Sequence, residues 1–293
     1  AIIPRLVRPE LLPAANALSM ITFGLAMTIG PLLAGVLVAR VGYGWTYTID
    51  VVTFTAAMWA VYRLKPMPPV GEVQKAGLKS VLEGFRFLAT RPNIRMTFLV
   101  DLAAMVMAQP RALLPAIGAV LLGGGATTVG VLLAATAVGA FLAGLFSGPL
   151  GAVRRQGLAV LWSVVAWGLS VSAFGVVVVM AGRNDGADPT AWLIPAAFAM
   201  GCAGIADSVS GVFRSTILQA ATPDAMRGRL QGVFVVVVAG GPRLGDLVAG
   251  VDASFLGEGW AAVIGGLVCV ALVAVLAKRQ PRFAQYDARH PEP

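Results

Sequence analysis

Asp207, Arg214, Arg243 and Asp246 stand inside two long apolar runs, in the stretch AGIADSVSGVFRSTILQAATPDAMRGRLQGVFVVVVAGGPRLGDLVAG over 203–250. A charge at the centre of a bilayer costs about 2.5–3.5 kcal/mol on insertion scales, so such residues face a polar interior, pair with one another, or move an ion. Asp207 and Arg214 share one face of a helix, with about 10.5 Å of axial rise between them. Arg243 and Asp246 are close enough in sequence to pair directly. Two readings are open for that second couple: a polar cavity wall, or a neutralised pair that locks helices together. Asp101 stands in an earlier run, about 10 Å into it at 1.5 Å per residue. It is either a proton carrier or a carboxylate paired for good with a neighbouring helix, and Asp207 has the same two readings. Arg214, near the end of its run, has a structural or gating role within snorkelling reach of water.

The elements that position these residues are membrane helices. The chain has 293 residues, of which 58% are hydrophobic and 12% charged, with a mean hydropathy of +0.82. A water-soluble domain carries about 25% charged residues. Runs of eighteen or more apolar residues mark an all-α polytopic membrane protein, and no ten-residue alternation suggests a barrel. Eight spans are expected, near 14–39, 45–64, 94–121, 128–150, 157–181, 191–219, 230–251 and 259–277. The net charge of +8 is assigned to loops facing anionic lipid on the cytoplasmic side, and no nucleic-acid partner is expected.

Seventeen of the 22 basic residues fall on one side of that arrangement, among them Arg154, Arg155, Arg227 and Arg229. Arg40 and Arg183 fall on the other, and Arg111, Arg214 and Arg243 lie within spans. By the positive-inside rule both ends of the chain are cytoplasmic. The organisation expected is two helices over 1–64, a cytoplasmic central loop with an amphipathic helix over 65–93, six helices over 94–277 and a cytoplasmic tail over 278–293. The opening AIIPRLVRPELLPAANAL reads as the middle of a longer protein.

Proline and glycine punctuate the spans. Gly30 with Pro31, and Gly241 with Pro242, occupy matching places in two stretches that parallel one another. They are expected to pack or hinge helices, because small residues admit close approach and proline frees a backbone carbonyl. Pro110 has the same role ahead of Arg111. Cys202 and Cys269 read as small core residues. The single histidine, His290, rules out a His-ligated metal. No phosphate loop and no nucleophile–base pair is present, so no enzyme activity, no cofactor and no metal are expected.

Two bundles of six helices, parallel repeats and a cytoplasmic central loop resemble the major facilitator superfamily. LVDLAAMVMAQPRALLPAIGAV, GIADSVSGVFRSTILQAATPDAMRGRLQGV and VVAGGPRLGDLVAG are similar to its enterobactin exporter-like group. The resemblance covers essentially the whole chain and would align it with spans five to twelve of a twelve-span protein. It implies secondary active transport: proton-coupled efflux of a siderophore or drug across the bacterial inner membrane. It carries over Asp101, Pro110, Arg111, Pro115, Asp207, Arg214, Arg227, Gly228, Arg229, Gly241, Pro242, Arg243, Gly245 and Asp246, with Asp101 and Asp207 as proton-coupling candidates. SGPLGAVRRQG keeps Gly148, Arg154 and Arg155 of the superfamily's loop motif but lacks its acid, and Val248 stands where many relatives carry one. The alternative reading is a truncated component or assembly partner that does not itself transport.

Overall fold

A computed structural model of the chain describes residues 12–63, 78–183, 189–222, 224–287 and 289, some of them in backbone only. Arg5, Arg8, Lys65, Val73, Lys75 and His290 lie outside the described residues. The long helices are α1 (Leu12–Tyr62), α2 (Leu78–Thr90), α3 (Pro92–Met107), α4 (Gly125–Leu145), α5 (Gln156–Ala181), α6 (Pro189–Ala221), α7 (Asp224–Leu256) and α8 (Glu258–Arg279). Among the described residues, six stretches are long and apolar enough to cross a membrane: Pro92–Leu121, Gly125–Leu145, Gln156–Ala181, Ala191–Leu218, Gly232–Leu256 and Glu258–Arg279. The two spans expected before residue 65 fall on the two arms of α1, neither of which is among those six; α1 breaks at Gly42 with φ 75° and ψ 173°. Only glycine adopts such a conformation without steric cost.

Gly30, expected to pack or hinge, does neither in this structure. α1 runs through it without a break, and a Cβ there would meet nothing within 4 Å. The close approach is made one turn later, at Gly35, where a Cβ would lie 2.7 Å from the carbonyl oxygen of Ala126 on α4. Pro31 is described in backbone only.

The expected single span over 94–121 is also broken. α3 starts at Pro92, where a missing N–H costs nothing, and stops at Met107. Tight turns at Arg111–Leu113 and Leu114–Ala116 follow, then a widened π-type turn at Ile117–Leu121. Pro110 and Pro115 explain the break, since each removes a donor and restricts the residue before it. Pro195 and Pro242, by contrast, sit inside continuous helices.

Apolar burial gives helices little reason to associate in lipid, so close backbone packing does the work. A Cβ at Gly139 would strike the backbone of Gly201, and one at Gly204 the backbone of Thr136, so α4 and α6 lie nearly in contact. α5 and α8 meet in the same way at Gly168 with Gly266 and at Gly175 with Val263. Ser172 Oγ donates to the Val263 carbonyl at 3.0 Å, and Ser208 Oγ to that of Ala140 at 3.4 Å. Phe174, Leu132, Ile117 and Ile217 are fully buried in the core these helices enclose.

Part of the tail is packed against the bundle. After α8 the chain turns at Pro281–Ala284 and seats Phe283 and Tyr286, both buried, against the start of α5. An isolated antiparallel bridge joins Arg155 to Asp287. Burial pushes the Tyr286 hydroxyl above the usual tyrosine range.

Gly204→Ala is expected to lower stability by about 1–3 kcal/mol, the usual cost of overpacking. Gly240→Ala, where a Cβ meets nothing within 4 Å, should change it little. Thermal unfolding of the two variants in one detergent compares them directly.

Candidate functional site

α3 carries Asp101 and α6 carries Asp207 and Arg214, and the fold brings the three together. Arg214 Nη1 bonds Asp101 Oδ1 across the helix pair, and its Nη2 lies 3.6 Å from Asp207 Oδ1. The guanidinium is planar and presents several donors in a fixed fork, so it addresses both carboxylates at once. Their surroundings differ. The Asp101 side chain is 6% exposed and that of Asp207 is 62% exposed.

The three residues line a cavity of about 190 Å³ between α3, α6 and α7. Thr97, Ser215 and Gly211 add to its polar wall, and Phe98, Met105, Leu218, Phe234 and Val238 form the rest. The site therefore holds two acids and one fixed cation beside open space. Chemically it can keep one carboxylate neutralised by the guanidinium and offer the second, through the cavity, to a proton or a cationic group.

The helix that carries Asp101, α3, ends in a break six residues further on. Irregular backbone at membrane depth survives only where protein or water satisfies it. Here Trp167 Nε1, on α5, donates to the Ala108 carbonyl at 3.1 Å. Around the break, a Cβ at Gly245 would strike the Met105 carbonyl and one at Gly265 that of Met107. Gly241 also packs there, with its would-be Cβ 3.1 Å from Met105 Sδ. Trp167 and Gly265 were not visible as functional positions in the sequence, because each serves a partner far away in the chain; Gly245 is among the positions the family resemblance carries over.

Arg243 and Asp246 do not form the pair that their spacing allows. No ion pair joins them among the described residues: Arg243 is exposed, and one Asp246 oxygen is buried without a hydrogen-bond partner. An acid three residues C-terminal to its cation is the weaker orientation on a helix, and nothing else draws the two together. Neither residue lines the cavity, nor does Arg111, which sits exposed on the turn after Pro110.

The basic loop residues separate too. Arg154 is exposed, and Arg155 meets Asp287 only through backbone. Arg229 Nε lies 2.9 Å from Glu83 Oε2 on α2, and Arg229 Nη1 donates to Met226 Sδ at 3.1 Å. Arg227 is described in backbone only. Among the described residues no group of three or more His, Cys, Asp or Glu side chains could hold a metal.

The family model described as transmembrane secretion effector matches residues 1–292. The chain is 32% identical over 275 residues to the enterobactin exporter EntS of Citrobacter koseri, an alignment covering 93% of this chain and 63% of that protein. It is 30% identical over 286 residues to the enterobactin exporter EntS of Escherichia coli O1:K1, covering 94% and 65%. The chain thus spans just under two thirds of the length of these curated relatives. No solved structure matches it.

Trp167→Phe keeps the ring but leaves the Ala108 carbonyl without its donor. It should cost about 1–3 kcal/mol, the desolvation penalty of an unsatisfied buried group, read as a lower unfolding temperature in detergent. An unchanged unfolding temperature would show that the bond does not hold the break.

Proposed function

We propose a function from one premise: the chain belongs to the transmembrane secretion effector family of the major facilitator superfamily. It forms part of a secondary active transporter, not an enzyme, that exports a small molecule across the bacterial inner membrane. Export is coupled to protons entering in exchange. The substrate class is siderophore-like, in keeping with the relatives named as enterobactin exporters. Both ends of this chain are cytoplasmic, and the basic loops face anionic lipid. No nucleic acid takes part.

The observation that supports coupling is the split of two acids across one guanidinium beside a cavity. With Asp207 ionised, Arg214 is shared between both carboxylates and the site carries one excess negative charge. A proton taken by Asp207 leaves Arg214 wholly to Asp101 and makes the site neutral. A substrate bearing positive charge or donor groups competes for the same ionised carboxylate. Competition between proton and substrate for one acid is the minimum that exchange requires, and rocking of one bundle against the other would carry the acid between the two faces. Asp101 holds the cation in place and Asp207 titrates. Arg111, Arg243 and Asp246, away from this cavity, keep a role in the wall or gates of the wider translocation path.

The test is efflux from proteoliposomes by the full-length protein under an imposed pH gradient. Asp207→Asn is expected to abolish proton-driven flux while leaving folded protein. If Asp207→Asn and Asp101→Asn each keep undiminished proton-driven flux, neither acid couples protons.

A further inference from the structure

The linker helix α2 has no place in the transport scheme above, yet it is tightly seated. Its buried face, Gly84 and Leu88, lies on the first turns of α7. A Cβ at Gly84 would lie 3.0 Å from the Arg229 carbonyl oxygen and 2.6 Å from Val233 Cγ2, so glycine is what admits the contact. Beside it runs the Glu83–Arg229 ion pair, with its side chains 33% and 34% exposed.

Leu88 continues into an apolar cluster with Ile94, Phe98, Ala221, Leu230 and Val233, separate from the main core. Leu218 and Phe234 pack on that cluster. Phe98, Leu218 and Phe234 also line the cavity that holds Asp101, Asp207 and Arg214. One end of the cavity is therefore a wall of three side chains, and α2 supports that wall from behind.

From this overlap we propose that α2 is a latch on the cavity. Seated, it holds the inner turns of α7 against α3 and α6 and keeps the three-residue wall closed. Unseated, it frees the first turns of α7 to move away and opens the site to water at that end. The Glu83–Arg229 pair is the fastener. A partly exposed ion pair is weak, which suits a contact that must release in every cycle. Gly84 and Leu88 supply the fit that returns α2 to the same seat.

The test reads access to the cavity and needs neither substrate nor a proton gradient, so failure of the efflux reading and failure of the latch are distinguishable. The full-length protein, with Cys202→Ser, Cys269→Ser and a reporter Ser215→Cys on the cavity wall, is placed in nanodiscs. The rate of reaction with a hydrophilic maleimide is then followed. Glu83→Gln and Arg229→Gln are each expected to speed labelling, up to about fivefold if the whole worth of an exposed ion pair is lost. Gly84→Leu should speed it as well, by wedging α2 off α7. The exchanged pair Glu83→Arg with Arg229→Glu should return to the parent rate. Labelling that stays at the parent rate in all three single variants overturns the proposal. An exchanged pair that labels as fast as the single variants overturns the ion pair as its fastener.

Discussion

The guanidinium of Arg214 is the constraint around which the rest is arranged. It bonds Asp101 across two helices and lies 3.6 Å from Asp207 on its own helix. Taking an isolated charge out of water costs several kcal/mol, and a buried ion pair offsets this only with good geometry. Asp101 must therefore sit at one depth and one angle on α3, and α3 must lie at a fixed distance from α6. Among the described residues Arg214 Nε is buried with no partner, so there the cluster is held by its terminal nitrogens.

That requirement reaches outward through the backbone. α3 ends six residues beyond Asp101, and the exposed carbonyl at the break is met by Trp167. Gly245 and Gly265 let α7 and α8 press directly on the last turn of α3. Glycine contacts between α4 and α6, and between α5 and α8, hold the remaining helices at similarly short range. In lipid these contacts replace the apolar driving force that would hold a water-soluble bundle. The lining of the cavity mixes acids, a cation and large apolar side chains.

The spans were legible because a helix in a water-soluble fold seldom stays apolar over the full thickness of a bilayer. Asp207 and Arg214 were legible as a pair of one face, because helical spacing alone fixes that. Asp101 as the partner of Arg214 was not, although charges of opposite sign in separate spans are a signal for it. Their contact depends on how α3 and α6 are rotated, which no local pattern states. The same holds for Glu83 with Arg229, some 146 residues apart in the chain. Spacing misled at Arg243 and Asp246, where adjacency on a helix allowed a pair that the surroundings do not form. It misled also at Gly30, because a glycine beside a proline resembles a hinge whether or not a neighbouring helix is near.

A double-mutant cycle on Asp101 and Arg214 tests the central claim most directly. Unfolding free energies of Asp101→Asn, Arg214→Gln and the double variant are compared with the parent in one detergent. A direct buried pair predicts that each single change costs about 3–5 kcal/mol and that the double variant costs no more than either, a coupling of about 3 kcal/mol or more. Additive single effects, with coupling below about 0.5 kcal/mol, would mean that the two side chains do not hold one another.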